Sequence, residues 1–280
     1  MERRARRLVP KSVVRFGTEF LVFGIKQAWA CLFGGLMVAA LLITGFWWPE
    51  DMPLARYDFL FLFALSVQIV FLATGFERPR EALVILTFHA VGTAMEVFKT
   101  AHGSWVYPEA SLIRIGEVPL FSGFMYGAVG SYLARVVRVF DFRFTRYPRR
   151  RWTVLLAVLI YLNFFTHHFG PDIRWGLFLG TAILFAPTVV HYRVWRWQHK
   201  MPLLLGFVLV AGFIFLAENI GTLTGSWLYP NQQEGWEPVP IGKFGSWLLL
   251  MILSWVLVTI IHAPRAEMKR ADRQMLPLRL

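Results

Sequence analysis

The chain has 280 residues, 56% of them hydrophobic and 16% charged, with a formal net charge of +12 and a mean hydropathy of +0.51. That is far more apolar than a soluble domain of this length needs and reads as a polytopic membrane protein. The basic residues are dealt out between hydrophobic runs instead of gathering on one soluble segment, which argues against nucleic acid, and the single cysteine, Cys31, excludes a disulfide framework or a sulfur-based metal cluster.

The apolar runs are continuous and most are near the length of about 20 residues that a spanning helix requires. A barrel would show short segments of alternating polarity instead. The expected fold is therefore an all-α polytopic membrane protein. A basic start (Arg3, Arg4, Arg6, Arg7) precedes the first run, residues 28–48, which is long and lacks a small-x-small cleavage site, so it reads as a retained helix and not a signal peptide. In chain order eight spans are expected, at about 24–46, 57–75, 83–101, 119–139, 152–168, 175–194, 202–222 and 244–262. One side of these spans receives the N-terminal arginines, Arg78 and Arg80, the arginines from Arg135 to Arg151, those from Arg193 to Lys200, and the tail; the other receives only Arg56, Lys99, Arg114, Arg174 and Lys243. Basic loops stay in the cytoplasm, so both termini are expected there, as an even number of spans also demands. Trp47, Trp48, Trp105, Tyr107, Trp152, Trp195, Trp197, Trp227, Tyr229 and Trp236 read as interfacial anchors, and the arginines of segment 135–152 as a cytoplasmic hinge that meets anionic lipid head groups.

Residues 103–108, GSWVYP, return as GSWLYP at 225–230, 122 positions further on. At the same offset Glu96 meets Glu218 and Thr100 meets Thr222; with one residue deleted, Val118-Pro119 meets Val239-Pro240. Identities at fixed spacing point to duplication. The expected organisation is a four-helix repeat over 1–140, a basic cytoplasmic linker at 141–151, a second four-helix repeat over 152–262 and a basic tail at 263–280. Four spans per half give both halves the same orientation, so both motifs face the non-cytoplasmic side.

Each glutamate lies seven residues before the Gly-Ser turn, about 10 Å below the end of its helix. An ionisable side chain at that depth is a functional-site candidate, and a pair of them is suited to acid and base roles or to cation binding. Glu96 and Glu218 are thus the expected catalytic residues, joined by His89, which shares the helical face of Glu96. The competing reading is structural: Glu96 pairs with Lys99 or His89, and Glu218 with Asn219 or Lys243. Against it, the second copy keeps the glutamate and threonine but has Ala211 for His89 and Gly221 for Lys99. The hexapeptides read as helix stops that roof a cavity, with Trp105, Tyr107, Trp227 and Tyr229, together with Thr100, Thr222 and Tyr126, as the expected substrate-binding residues. His102, His167 and His168 share the same side, but no H-x3-H or H-E-x2-H spacing appears, so neither a metal nor a cofactor is expected.

The stretch 89–144, together with FGIKQAWACLFGG at 23–35, resembles the bacterial integral-membrane family catalogued as domain of unknown function 817. The resemblance implies a helical protein of a bacterial inner membrane and no established activity. The layout of Glu96 with Trp105, Tyr107 and Pro119, and of Glu218 with Trp227, Tyr229 and Pro240, is more distantly similar to membrane carotenoid cyclases and hydratases, although Gly-Glu-Val-Pro and Glu-Pro-Val-Pro replace their Gly-x-Pro. That similarity implies an intramembrane acid protonating an isoprenoid. The expected function is acid/base chemistry on an isoprenoid or other lipid; the alternative is a small transporter or a lipid- or cation-binding protein. Membrane lipids and an apolar small molecule are the expected partners.

Overall fold

The computed structural model describes residues 11–49 and 51–266, with side chains from Phe16 onward. The basic N-terminal residues 1–10 and tail residues 267–280, expected on the cytoplasmic side, lie outside the described residues. The described chain is mostly helical: α1 Lys11–Ala30, α2 Leu32–Trp47, α3 Arg56–Ala73, α4 Pro79–Ala101, α5 Phe121–Val139, α6 Arg150–Thr166, α7 Arg174–Phe185, α8 Leu203–Leu223 and α9 Lys243–Ile261. It is not purely α. Strands β1 Arg114–Ile115 and β2 Val118–Pro119 form a small hairpin, and β3 Arg143–Thr145, β4 Val189–Arg193 and β5 Gln198–Pro202 form an antiparallel sheet in the order β3-β4-β5. Phe144 faces Val190, and Val190 faces Met201.

Among the described residues four helices are long and apolar enough to cross a membrane: α3, α4, α8 and α9. The first expected span, 24–46, is two helices bent by 70° at their junction, which count together as a fifth. No proline sits at the break. The Arg135 guanidinium reaches the carbonyl of Trp29 at 3.1 Å, and a side chain inserted beside the helical ladder is a known cause of a sharp bend. The span expected at 175–194 is helical only in its first part: α7 stops at Phe185 after twelve residues. Pro187 follows, and the β-branched run Thr188-Val189-Val190 continues as β4. Helix α6, at seventeen residues, has the length of the span expected at 152–168, at the lower limit for crossing.

Helix α5 contains Gly, Ser, Tyr and two arginines and does not need to be apolar, because protein surrounds it. It packs against α1, α2, α3, α4 and α9, and twelve of its residues are buried. One hydrophobic core runs through both expected halves: Val84, Leu133 and Phe140 belong to the same cluster as Leu156, Phe207 and Leu250. Outward faces are apolar instead. Ile69 and Val70 on α3, Leu86 on α4, Leu179 and Ile183 on α7 and Phe213 on α8 are exposed, a density of surface hydrophobes that water-facing proteins rarely show.

The basic end is tied by buried ion pairs. Arg135 Nη2 lies 2.6 Å from Glu77 Oε1, with both side chains essentially inaccessible, and Ser131 and Gln68 also donate to Glu77. Arg138 pairs with Glu81 at 2.9 Å. Arg135 therefore meets Glu77 and the α1–α2 junction, not a lipid head group.

Candidate functional site

Helices α4 and α8 end in the same way. Gly103 and Gly225 adopt positive φ of 66° and 63°, a left-handed turn that side chains other than glycine resist. The Gly103 N–H donates to Thr100 O and the Ser104 N–H to Lys99 O, both at 3.0 Å; Gly225 to Thr222 and Ser226 to Gly221 repeat these bonds at 3.0 Å. These are Schellman caps. Each cap reverses the chain, so the Trp and Tyr that follow fold back over the glutamate below. Between them Val106 and Leu228 form an antiparallel bridge that joins the two hexapeptides.

That reversal makes the hexapeptide more than a roof. The Trp105 indole N–H and the Tyr107 hydroxyl both donate to Glu96 Oε2 at 2.7 Å, and Tyr126 OH donates to Oε1 at 2.6 Å. Trp227 Nε1 at 2.9 Å and Tyr229 OH at 2.6 Å both donate to Glu218 Oε1. Glu96 and Glu218 are 4% and 5% exposed, yet neither forms an ion pair among the described residues. Neutral indoles and phenols hold them. Burial comes first, and then Glu96, in pushing the Tyr107 hydroxyl well above its ordinary range. Burial, then Glu218, and more distantly Glu96 act on Tyr229 in the same sense, so the second cup lies within electrostatic reach of the first.

The expected structural partners are engaged elsewhere. Lys99 Nζ lies 3.2 Å from His167 Nε2 and 2.9 Å from His168 Nε2. Lys243 Nζ stands 4.4 Å over the Tyr229 ring. Asn219 donates to Phe215 O and accepts from the Val239 N–H.

Both glutamates line a cavity of about 1410 Å³ together with Trp105, Tyr107, Tyr126, Trp227 and Tyr229. This exceeds the ~300–1,000 Å³ usual for small-molecule pockets, and its walls are overwhelmingly apolar. Residues of α1, α2, α4, α5, α6, α8 and α9 form them, with Arg174 at the start of α7. Leu205, Leu209, Phe213 and Leu216 of α8 line the cavity and are also exposed, so it opens sideways along α8. Gly45 of α2 packs closely against Thr224, which ends α8.

Three of the expected site residues are not in the cavity wall. His89 sits at the α4–α5 contact, its ring 4.8 Å from Phe124, where among the described residues His89 Nδ1 and Thr93 Oγ1 are buried without a hydrogen-bond partner. Thr100 bonds back to Glu96 O. Thr222 bonds to Asn219 O and accepts from Trp236. Other residues that hold the site do not stand out in the sequence. At the start of α3, Arg56 pairs with Glu109 at 2.6 Å and approaches Ser226 Oγ at 3.4 Å, Tyr57 OH donates to Ser226 O at 3.0 Å, and Asp58 accepts the N–H groups of Leu112 and Ile113. Together they clamp the loop after the first hexapeptide and the turn of the second. Among the described residues no group of three His, Cys, Asp or Glu is arranged to hold a metal ion.

The family described as "Protein of unknown function (DUF817)" matches residues 19–255, a span that contains both glutamates and both aromatic turns. "Uncharacterized protein YoaT" of Bacillus subtilis (strain 168) is 44% identical over 252 residues, which cover 89% of this chain and 94% of that protein. No solved structure matches the chain. By these matches the chain belongs to the DUF817 family.

Proposed function

We propose that this is an enzyme embedded in a bacterial inner membrane, with both termini in the cytoplasm, that binds an isoprenoid or other lipid in the lateral cavity and acts on it by acid/base chemistry through Glu96 and Glu218. One observation carries the reading: two buried carboxyl groups, hydrogen-bonded by neutral aromatic donors, stand in the wall of one apolar cavity that opens sideways. Such a group serves as acid or base where a substrate comes within hydrogen-bond reach, and aromatic rings beside it stabilise cationic charge developing on an apolar chain. The two carboxyls differ. Glu96 has donors on both oxygens, whereas both donors to Glu218 converge on Oε1. Glu218 is the proton-transferring partner and Glu96 the fixed one.

The topology follows from the same reading. Counting α1–α2 as one bent crossing gives eight passes in two same-oriented sets of four, divided by the linker at 141–151. Helix α7 spans only about 18 Å, and β4 continues the pass toward the basic end. Helix α5 tolerates its arginines because neighbouring helices enclose it.

A second reading draws on the length of the cavity. Its wall runs from Lys243 beside the aromatic turns to Phe140, Tyr192 and Met201 beside the sheet, which suits a transporter whose glutamates carry protons or cations. Lipid extracts of cells expressing the wild type, Glu218→Gln and Glu96→Gln separate the two. The enzyme reading expects substrate to accumulate and product to vanish in the Glu218→Gln extract. An unchanged lipid and carotenoid profile overturns it, and cysteine-accessibility changes along the cavity wall from both faces then support transport.

A further inference from the structure

We infer that the lipid taken by this cavity carries a phosphate head group, held beside the aromatic turns by Lys99, Lys243 and Arg174. This rests on the cavity being a lipid site and adds the substrate class.

The three cations come from three helices, the last turn of α4 and the first residues of α9 and α7, and all line the cavity. They are close enough to act on one another: Lys99 feels both Lys243 and Arg174, and Lys243 feels Arg174. Gathering like charges costs free energy unless an anion offsets it. The glutamates are the obvious candidates, and Lys243 feels Glu218 as well as Arg174, but among the described residues neither lysine forms an ion pair with a glutamate. Lys99 turns to two imidazole nitrogens, and Lys243 lies over an aromatic ring. Among the described residues only Arg174 of the three has a carboxylate, Asp172, which also accepts from Asn163 and from the Arg174 N–H. Among the described residues one ion pair thus serves three cations, with Glu218 acting on Lys243 from further off.

A second feature of the fold favours an anion there. Pro240, Gly242, Lys243 and Ser246, around the start of the nineteen-residue helix α9, line the cavity. Gly242 at the N-cap supplies no side-chain acceptor, so the partial positive charge of the first turn is not offset by a cap. Ammonium groups and a helix N-terminus approaching from different elements suit the several acceptor oxygens of a phosphate.

The cluster also breaks the likeness of the two motifs. Gly221 stands where the first copy has Lys99, and Ser122 where the second has Lys243. Two equivalent cups therefore share a single anion site, which seats one head group and orients one chain. Lys99 is one turn above Glu96 on α4, so the carboxyls face the first carbons of the chain beyond the head group.

The test is direct binding to the purified full chain in neutral maltoside micelles, with farnesyl monophosphate, farnesol and inorganic phosphate as probes. Farnesyl monophosphate is expected to bind at least tenfold more tightly than farnesol, with an advantage that shrinks as salt is raised. The double variant Lys99→Met/Lys243→Met is expected to lose that advantage and keep farnesol binding, which also reports that it is folded; Lys99→Arg/Lys243→Arg is expected to retain most of it. Should the methionine variant not fold, the salt dependence of the wild type and the arginine variant decide. Equal affinity for farnesol and its phosphate overturns the head-group inference and leaves the lipid cavity standing. Binding of neither lipid removes the cavity reading and this inference with it. Inorganic phosphate competing as strongly as farnesyl phosphate overturns the inference in favour of a soluble-anion site.

Discussion

Val106 and Leu228 exchange both of their backbone hydrogen bonds, each N–H meeting the other's carbonyl at 2.9 Å, and the two residues hold the same position in the two hexapeptides. A reciprocal bond between equivalent positions is what a local two-fold axis produces. Its consequence for the site is mechanical: neither aromatic cup can shift without the other. A hydrogen-bonded antiparallel pair keeps its Cα atoms about 5.5 Å apart, within the ~4.4–6.8 Å that a disulfide bridges. In a Cys31→Ala background, Val106→Cys with Leu228→Cys is expected to cross-link on mild oxidation, while either single cysteine is not. Peptide mass spectrometry of the oxidised chain reads the link, and failure to form it contradicts the pairing.

Because each glutamate is served by its own indole and phenol, the two cups make separable energetic units. Removing one hydroxyl from a buried carboxyl costs about 1–3 kcal/mol. Tyr107→Phe and Glu96→Gln touch the same oxygen and are expected to be coupled by roughly 1 kcal/mol or more in a double-mutant cycle. Tyr229→Phe with Glu218→Gln should behave likewise. Tyr107→Phe with Glu218→Gln, which share no bond, should come much closer to additive. Denaturation of the single and double variants in detergent measures the three cycles, and equal coupling in all of them contradicts separate cups.

The residues differ in how far the sequence announces their roles. Glu96 and Glu218 stand out because a carboxyl two turns inside an apolar run is improbable, and Gly103 and Gly225 because a helix stop needs a left-handed residue. The indole and phenol contacts are not visible in the same way. Trp105 and Tyr107 lie nine and eleven positions after Glu96, a separation that brings side chains together only after the cap reverses the chain, so at a membrane boundary they read as anchors. The position of His89 is legible as a face but not as a depth. It shares the stripe of Glu96 two turns lower, where Gly123 lets α5 approach so closely that a Cβ there would meet His89 Nδ1 at 2.4 Å, and it does not reach the cavity that Glu96 lines. Arg135 and Glu77 look like loop charges because their pairing, across 58 positions, leaves no local pattern. Helix α7 misleads for a composition reason: the apolar residues of β4 extend its hydrophobic run past the proline that ends it.

Gly221 shows how tightly one cup is built. A Cβ at this position would meet the Trp227 ring at 2.1 Å, and that ring carries the N–H bonded to Glu218. Gly221→Ala must therefore displace Trp227 or push α8 outward. Overpacking of this kind costs about 1–3 kcal/mol, occasionally more, and here it also removes a donor from the carboxyl. A Cβ added at Gly35, on α2, would have nothing within 4 Å, so Gly35→Ala serves as the matched control and is expected to be neutral or slightly stabilising through helix propensity. Thermal melts of the two variants in one detergent test the contrast, and a Gly221→Ala chain as stable as wild type would show that Trp227 has room to move.

His168 gives the stability of the molecule a pH signature. Burial first, and then the positive charge of Lys99 and its neighbours His167 and His102, hold its imidazole below the ordinary histidine range. The unfolded chain takes up the proton at about pH 6.5, while the folded chain resists until the pH is lower. Between those two points the unfolded state binds more protons, so stability is intact above about pH 6.5 and declines as the pH falls below it. His168→Gln is expected to flatten the part of that decline that belongs to this ring. Lys99→Met, which removes a positive charge 2.9 Å from Nε2, is expected to flatten it as well by letting the folded state accept the proton sooner. Melting temperatures of the wild type and the two variants, measured from about pH 8 down to about pH 5 to bracket the ordinary histidine range, provide the comparison. Parallel curves for all three would mean that the acid sensitivity arises elsewhere and that Lys99 does not set the protonation of His168.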